Sequence, residues 1–235
     1  MFYIDWTYIV LVLPAVIFSM WASNRVNSTF KRYSGYYIRS GMTGHDAARM
    51  ILDANGLYNV RIERVSGNLT DHYDPRTNVV RLSDSVYNSA TAAAVGVAAH
   101  ECGHAVQHAV GYVPIKIRSA IVPITNFGSK ISIPLIMLGI IFSYTSEFFI
   151  NIAYLGVAFF GLSALFQLVT LPTEYNASRR AVKALDSCGR LLDDEIQGSK
   201  KVLNAAALTY VAALAVSIMQ LLQLFLRVRR NDRNR

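Results

Sequence analysis

Four long stretches without charged residues constrain this chain more than any other feature. They are Trp6–Ser23, Ile131–Ser146, Phe148–Thr173 and Val202–Leu226. A helix that crosses the hydrocarbon core of a bilayer needs about 20 predominantly apolar residues. Charged residues make up only 16% of the chain, whereas soluble domains carry about a quarter. The sequence therefore predicts a mainly α-helical, multi-pass membrane protein.

The second and first of these stretches each have a feature that bears on their role as transmembrane helices. The second is short for a span, and extending it back to Ser119 adds Lys130, Pro123 and Pro134, so we expect a kinked or tilted helix there. The first is preceded by Asp5 and by no Lys or Arg. Because a cleaved signal peptide begins with basic residues, this stretch is expected to be an uncleaved membrane anchor.

The distribution of basic residues predicts the orientation. The net charge is +8, with eleven Lys or Arg in residues 24–119, six in residues 174–201 and none in the loop "SYTSE". The positive-inside rule places both basic segments in the cytoplasm. Since the basic residues lie beside apolar stretches, they favour a lipid bilayer over nucleic acid as the partner. The tail "RVRRNDRNR" leaves two alternatives, translocation of the tail or a fourth stretch that does not fully cross.

The polar insert contains predicted helices and strands. Apolar spacing in "TGHDAARMILDANGL" predicts an amphipathic helix that ends at Gly56. "YNVRIERV" reads as a strand, and "DHYDPRTNVVRLS" reads as a turn followed by a strand. Ser89 is the expected cap of a helix that begins near Ala90.

These segments give a domain plan of five parts. Residues 1–24 form the first transmembrane helix, 25–118 a cytoplasmic insert, 119–173 the second and third transmembrane helices, 174–201 a cytoplasmic segment, and 202–235 the fourth transmembrane helix with its basic tail.

The Ala-rich helix of the insert carries a five-residue metal motif. His100, Glu101 and His104 fit the pattern H-E-x-x-H. Residues four apart on a helix lie on one face, so two imidazoles can share one zinc ion. Zinc lowers the pKa of its bound water toward about 7, and Glu101 can act as the general base. The motif predicts a hydrolytic zinc (Zn²⁺) site, because burying two histidines and a glutamate without partners would be costly.

Three residues in or near the motif are not expected to bind the metal. His108 is excluded as a third ligand, because it lies about 12 Å along an unbroken helix from His100. Cys102 points off the ligand face and is interpreted as a packed thiol. Gly103 costs roughly 1 kcal/mol relative to Ala within a helix. A close approach of another backbone would explain that glycine.

The remaining ligand must come from elsewhere in the chain. Glu174 follows the third apolar stretch, on the side assigned to the motif helix, and a buried carboxylate at a membrane interface requires a reason such as zinc. The alternative is an ordinary acidic residue at a helix N-terminus after Pro172 and Thr173. Both roles are compatible.

The segments "HECGH", "TEYNASRRA" and "KKVLNAAALTYVAALA" resemble the YugP-like membrane zinc metallopeptidases of bacteria, in the neutral zinc metallopeptidase family. They also resemble, more widely, the HtpX-type membrane proteases. The likeness implies a zincin-like core with a small β element, a zinc endopeptidase acting on membrane or misfolded proteins, and a location in the bacterial inner membrane. It also implies that Glu174 is the third ligand. The wider family has aspartate at the position of Ser178, so Asn176, Ser178 and Arg179 are the candidates to support the ligands.

Two groups of residues are candidates to contact the substrate. In zinc peptidases of this general build a strand edge can pair with an extended peptide, and Val79–Leu82 is the candidate, with an ordinary structural strand as the equal alternative. Tyr175, Arg179 and His72 have suitable chemistry to stabilise the oxyanion.

Two other functions compete with a peptidase. One is a non-catalytic membrane scaffold or adaptor whose zinc joins helices, and the other is an enzyme that hydrolyses a non-peptide amide or ester. Glu101 argues against the scaffold, since a structural site usually has four protein ligands and needs no base.

Overall fold

The computed structural model describes residues 5–234, and these are mainly helical with a small three-stranded sheet. A π-helical turn, Tyr8–Val12, leads into the first helix. The elements are α1 Leu13–Tyr33, α2 Gly44–Ala54, β1 Arg61–Val65, β2 His72–Asp74, β3 Val79–Ser83, α3 Asp84–Tyr87, α4 Ala92–Ala109, α5 Val113–Phe142, α6 Glu147–Ser187 and α7 Asp193–Arg233.

Within residues 5–234, four helical segments are long and apolar enough to cross a membrane, as the sequence predicted. They are Tyr8–Tyr33, Val113–Phe142, Glu147–Ser187 and Asp193–Arg233. The fourth apolar stretch lies within α7, and α5 runs without a break through Pro123 and Pro134.

The chain divides into two compact units. The first comprises residues 5–21, 117–171 and 209–234 of the described chain. The second comprises residues 22–116 and 172–208. In the first unit α5 and α6 pack closely. A Cβ placed on Gly139 would lie 2.5 Å from the backbone nitrogen of Ala153, so only glycine permits this approach.

In the second unit, α2 packs on α4 around a core of buried aliphatic side chains. Helix α2 begins with a capping box between Thr43 and Asp46, and the chain leaves it at Gly56, whose φ is +73°. Glycine adopts this left-handed conformation without steric cost. The predicted amphipathic helix and its stop are therefore confirmed.

The sheet has the strand order β1-β3-β2, with β1 parallel and β2 antiparallel to β3. The two predicted strands are confirmed, but β2 was not predicted, because three residues give too short an alternation. The prediction that Val79–Leu82 offers a free edge to the substrate is wrong, because β3 is the central strand. Both of its sides are paired within the chain, and β1 and β2 are the two edge strands.

The start of α4 also differs from the sequence prediction. Its N-cap is Thr91, whose hydroxyl accepts a bond from the amide of Ala94, and not Ser89. The reason is tertiary: Tyr37 and Thr91 form a β-bridge, and the carbonyl of Ala90 accepts from the amide of Ile38 at 2.9 Å. These contacts hold Thr91 in an extended conformation, and the helix begins after it.

The position of Glu174 within its helix also differs from the sequence prediction. Helix α6 is continuous from Glu147 to Ser187 and contains Pro172. The interpretation of Glu174 as a carboxylate in the first turn of a helix is therefore wrong. Glu174 lies in the interior of a long helix.

Candidate metal centre

His100 and His104 lie one turn apart on α4 and face the same direction. Their ring centroids are 4.8 Å apart, and the rings are nearly perpendicular, at 85°. Each side chain keeps little exposure, 13% for His100 and 12% for His104. The spacing of four residues therefore places both imidazoles at one partly buried point, as the motif predicts.

The side chain of Glu174 reaches the same point from α6. Its Oε2 lies 3.2 Å from Nε2 of His100 and 3.4 Å from Nε2 of His104. Glu174 is only 2% exposed. Among the described residues, these three form a group whose ligand atoms all lie within 4.8 Å of one another, close enough to hold one metal ion.

His108 is not part of this group. Its ring instead contacts that of Tyr73, at a centroid distance of 5.5 Å. Because α4 is unbroken from Ala92 to Ala109, the rise along its axis keeps His108 away from the other two histidines.

A glycine allows α6 to approach α4 closely enough for this geometry. A Cβ placed on Gly103 would lie 2.7 Å from the carbonyl oxygen of Ala177, a distance that real side chains do not tolerate. The close backbone approach predicted for Gly103 is present. Since Ala177 lies one turn after Glu174 on α6, this contact sets the distance of the carboxylate from the two histidines.

The Nδ1 atom of His104 is held by Gln107, a residue that the sequence analysis missed. Gln107 Nε2 donates to the carbonyl of Thr173 at 2.8 Å and to Oδ1 of Asn176 at 3.0 Å, and Gln107 Oε1 lies 3.0 Å from His104 Nδ1. Because both partners of Nε2 are acceptors, the amide orientation is fixed and Nδ1 of His104 must donate. In the neutral ring, Nε2 of His104 is then the nitrogen that can bind a metal beside Glu174.

Ser178 holds the other histidine, since its Oγ lies 3.1 Å from Nδ1 of His100. Asn176 contacts the site only through Gln107, and its Oδ1 also accepts from Nε of Arg180 at 2.8 Å. Arg179 is exposed. Within residues 5–234 it forms no hydrogen bond with His100, His104 or Glu174. The sequence offered one sign of the role of Gln107. It is a polar residue three positions after His104, and residues three apart on a helix are neighbours.

The donors suit a divalent zinc ion. Two imidazoles and one carboxylate form a ligand set known for catalytic zinc, and the outer nitrogen of each imidazole already has a partner. Burial lowers the pKa of His104, but hydrogen bonding to Glu174 and the charges of Glu101 and Glu174 outweigh it, so the net direction is upward. This negative field likewise favours a bound cation.

Glu101 lies outside the three-residue group and contacts the sheet. Its Oε2 accepts a hydrogen bond from the backbone amide of Tyr73 at 3.1 Å. Because Tyr73 belongs to the edge strand β2, the strand fixes one oxygen of this carboxylate beside His100.

Cys102 and the candidate oxyanion donors occupy different surroundings. Cys102 is fully buried and its thiol donates to the carbonyl of Ala48 at 3.5 Å, in agreement with a packed thiol. Tyr175 and Arg179 are exposed on α6, and His72 is exposed on β2 with its Nδ1 2.8 Å from the carbonyl of Thr70.

Comparison with known proteins gave two matches. The family described as "Putative neutral zinc metallopeptidase" matches residues 8–229. The chain is also 46% identical over 216 residues to "Putative membrane protease YugP" of Bacillus subtilis (strain 168), which covers 92% of this chain and 94% of the relative. No solved structure matches the chain.

Proposed function

Since the chain belongs to the neutral zinc metallopeptidase family, as its sequence resemblance indicated, we propose that it is an integral membrane zinc endopeptidase. In this proposal the four apolar helices cross a bacterial inner membrane. Residues 25–118 and 174–201 form the zincin-like cytoplasmic part. The proposed reaction is hydrolysis of peptide bonds in membrane or misfolded proteins.

One observation carries the proposal. The ligand atoms of His100, His104 and Glu174 lie within 4.8 Å of one another, and Glu101 follows the first of these residues on α4. His100, His104 and Glu174 would hold the zinc ion. When bound, zinc supplies a Lewis acid that lowers the pKa of water and polarises a carbonyl group.

The residues of the chain supply the rest of the chemistry. Glu101 accepts a proton from the attacking water and delivers it to the leaving amine nitrogen. The amide of Tyr73 binds Oε2 of this carboxylate, so Oε1 is the oxygen that takes the proton. Gln107 holds His104 in the tautomer that leaves Nε2 free for the metal, and Ser178 holds the ring of His100 in place.

The alternative is a scaffold in which zinc only joins α4 to α6. A structural zinc site usually takes four protein ligands, whereas the donor group among the described residues has three members. A structural site also needs no general base, whereas Glu101 follows the first histidine and can supply one. These two features favour the peptidase.

The full-length protein, purified in a neutral detergent, tests the proposal. We expect it to contain zinc in equimolar amount and to cleave casein, with activity lost on chelation and restored by zinc. Zinc-loaded protein that cleaves no peptide substrate would support the scaffold instead. Parallel assays with ester and non-peptide amide substrates separate a peptidase from another hydrolase.

A further inference from the structure

A second site lies in the same unit and shares none of the candidate ligands of the metal centre. It is a cavity of about 450 Å³ between α2, α4 and the last turns of α6, and none of His100, Glu101, His104 or Glu174 lines it. Its volume falls within the range of about 300–1,000 Å³ that is typical of small-molecule sites. We refer to it as the basic cavity.

The basic cavity carries three positive charges. Arg180, Lys183 and Arg190 line it, and no Asp or Glu among the described residues does. Within residues 5–234 none of the three cations forms an ion pair. Lys183 and Arg190 are exposed, so water screens their charges, and a bound anion would be attracted by all three cations.

Arg180 is already oriented for such a ligand. Its Nε donates to Oδ1 of Asn176 at 2.8 Å, which fixes the plane of the guanidinium group. The two Nη groups are left to form the paired hydrogen bonds that arginine makes with carboxylates and phosphates. Pre-orientation of this kind reduces the entropy lost on binding.

The rest of the lining is largely aliphatic. It includes Met50, Ile51 and Ala54 from α2, Ala99 and Val106 from α4, and Ala184 from α6. An inorganic anion would leave this apolar surface uncovered, whereas an aliphatic chain would bury it. The apolar lining and the cations together match a ligand with a charged head and an apolar tail.

We propose that the basic cavity binds an amphiphile with an anionic carboxylate or phosphate head and an aliphatic chain, the head at Arg180, Lys183 and Arg190. This ligand site is independent of the proposed peptidase activity. The head group could belong to a free fatty acid or alkyl phosphate, or to an anionic lipid of the bilayer.

Cys188 offers a native reporter of occupancy, because it lines the basic cavity and is only partly buried. The other cysteine, Cys102, is fully buried and burial raises the pKa of its thiol. Alkylation by N-ethylmaleimide, followed on the Cys188 peptide by mass spectrometry, therefore reports on this cavity alone.

The experiment uses the full-length protein in phosphatidylcholine nanodiscs. Decanoate or decyl phosphate, at about ten times its Kd, should slow alkylation of Cys188 about tenfold. Decanol, decyltrimethylammonium, acetate and inorganic phosphate should not. Equal protection by decanol would show that the charge of the head group has no role. Equal protection by acetate or inorganic phosphate would show that the aliphatic chain has no role. If no probe protects Cys188, the proposed site is wrong.

Variants separate specific binding from general effects. Lys183→Gln with Arg190→Gln, at two exposed positions that leave Arg180 and Asn176 intact, should raise the half-protecting concentration about fivefold or more. Lys200→Gln removes one exposed charge outside the cavity and should leave that concentration unchanged. Ala54→Phe narrows the apolar part and should favour hexanoate over decanoate. Wild-type behaviour of both cavity variants would contradict the proposal.

A last comparison identifies the source of the head group. Nanodiscs that contain phosphatidylglycerol, without any added amphiphile, should slow alkylation if the ligand is a bilayer lipid. An unchanged rate in those nanodiscs, together with protection by decanoate or decyl phosphate, assigns the cavity to a free amphiphile.

Discussion

The side-chain oxygen of Gln107 lies 3.0 Å from Nδ1 of His104. The amide nitrogen of the same side chain donates to the carbonyl of Thr173, which precedes Glu174 on α6. One fully buried residue therefore fixes the tautomer of a candidate metal ligand and joins the two helices that supply the ligands.

Removing this contact should weaken zinc binding without removing a ligand. In Gln107→Leu, Nδ1 of His104 loses its acceptor, and we expect the Kd for zinc to rise about 10- to 100-fold. Competition with a chromophoric chelator measures the Kd, and thermal unfolding of the metal-free protein checks the fold. Gln197→Leu, at an exposed glutamine of α7, is the matched control. Equal affinity in the two variants would show that Gln107 has no influence on the metal.

Glu101→Gln should keep zinc and lose proteolysis. The amide cannot take the proton from water, whereas the three ligands are unchanged, so kcat should fall by about 10²- to 10⁴-fold. Zinc content and casein cleavage are measured on the same preparation. Glu147→Gln, at the exposed start of α6, should match the wild type in both. Undiminished cleavage by Glu101→Gln would remove it from the role of general base.

Glu174→Ala should lose zinc, and His108→Ala should retain it. Glu174 contributes an oxygen 3.2 Å and 3.4 Å from the two imidazole nitrogens, whereas His108 contacts Tyr73. Zinc stoichiometry after dialysis against a mild chelator provides the measurement. An empty His108→Ala beside a loaded Glu174→Ala would reverse the assignment.

The proposed orientation can be tested with single cysteines at Ser66 and Ser146 in a cysteine-free variant. Both positions are exposed. If the basic segments are cytoplasmic, an impermeant thiol reagent applied to intact cells should label position 146 and spare position 66. Both positions should react after the cells are lysed. The opposite pattern in intact cells would place the site outside the cytoplasm.

Local sequence patterns predicted much of the fold. The apolar stretches coincide with four helices long enough to span, and the periodicity of Thr43–Leu57 predicted α2 with its stop at Gly56. The H-E-x-x-H spacing placed two imidazoles on one face of α4. These features follow from helical geometry and apolar run length, which depend on residues near one another in the chain.

The sequence alone did not determine how distant segments meet. The bridge between Tyr37 and Thr91 moved the start of α4, and pairing on both sides of β3 left β1 and β2 as the edge strands. The distance of Glu174 from the two histidines depends on the contact of Gly103 with Ala177, and the tautomer of His104 depends on the orientation of Gln107. Each of these outcomes is set by hydrogen bonds or close packing between segments far apart in the chain, for which periodicity carries no information. The sequence by itself determined which residues could bind a metal, whereas the tertiary structure decided that a carboxylate from another helix meets them with its geometry fixed.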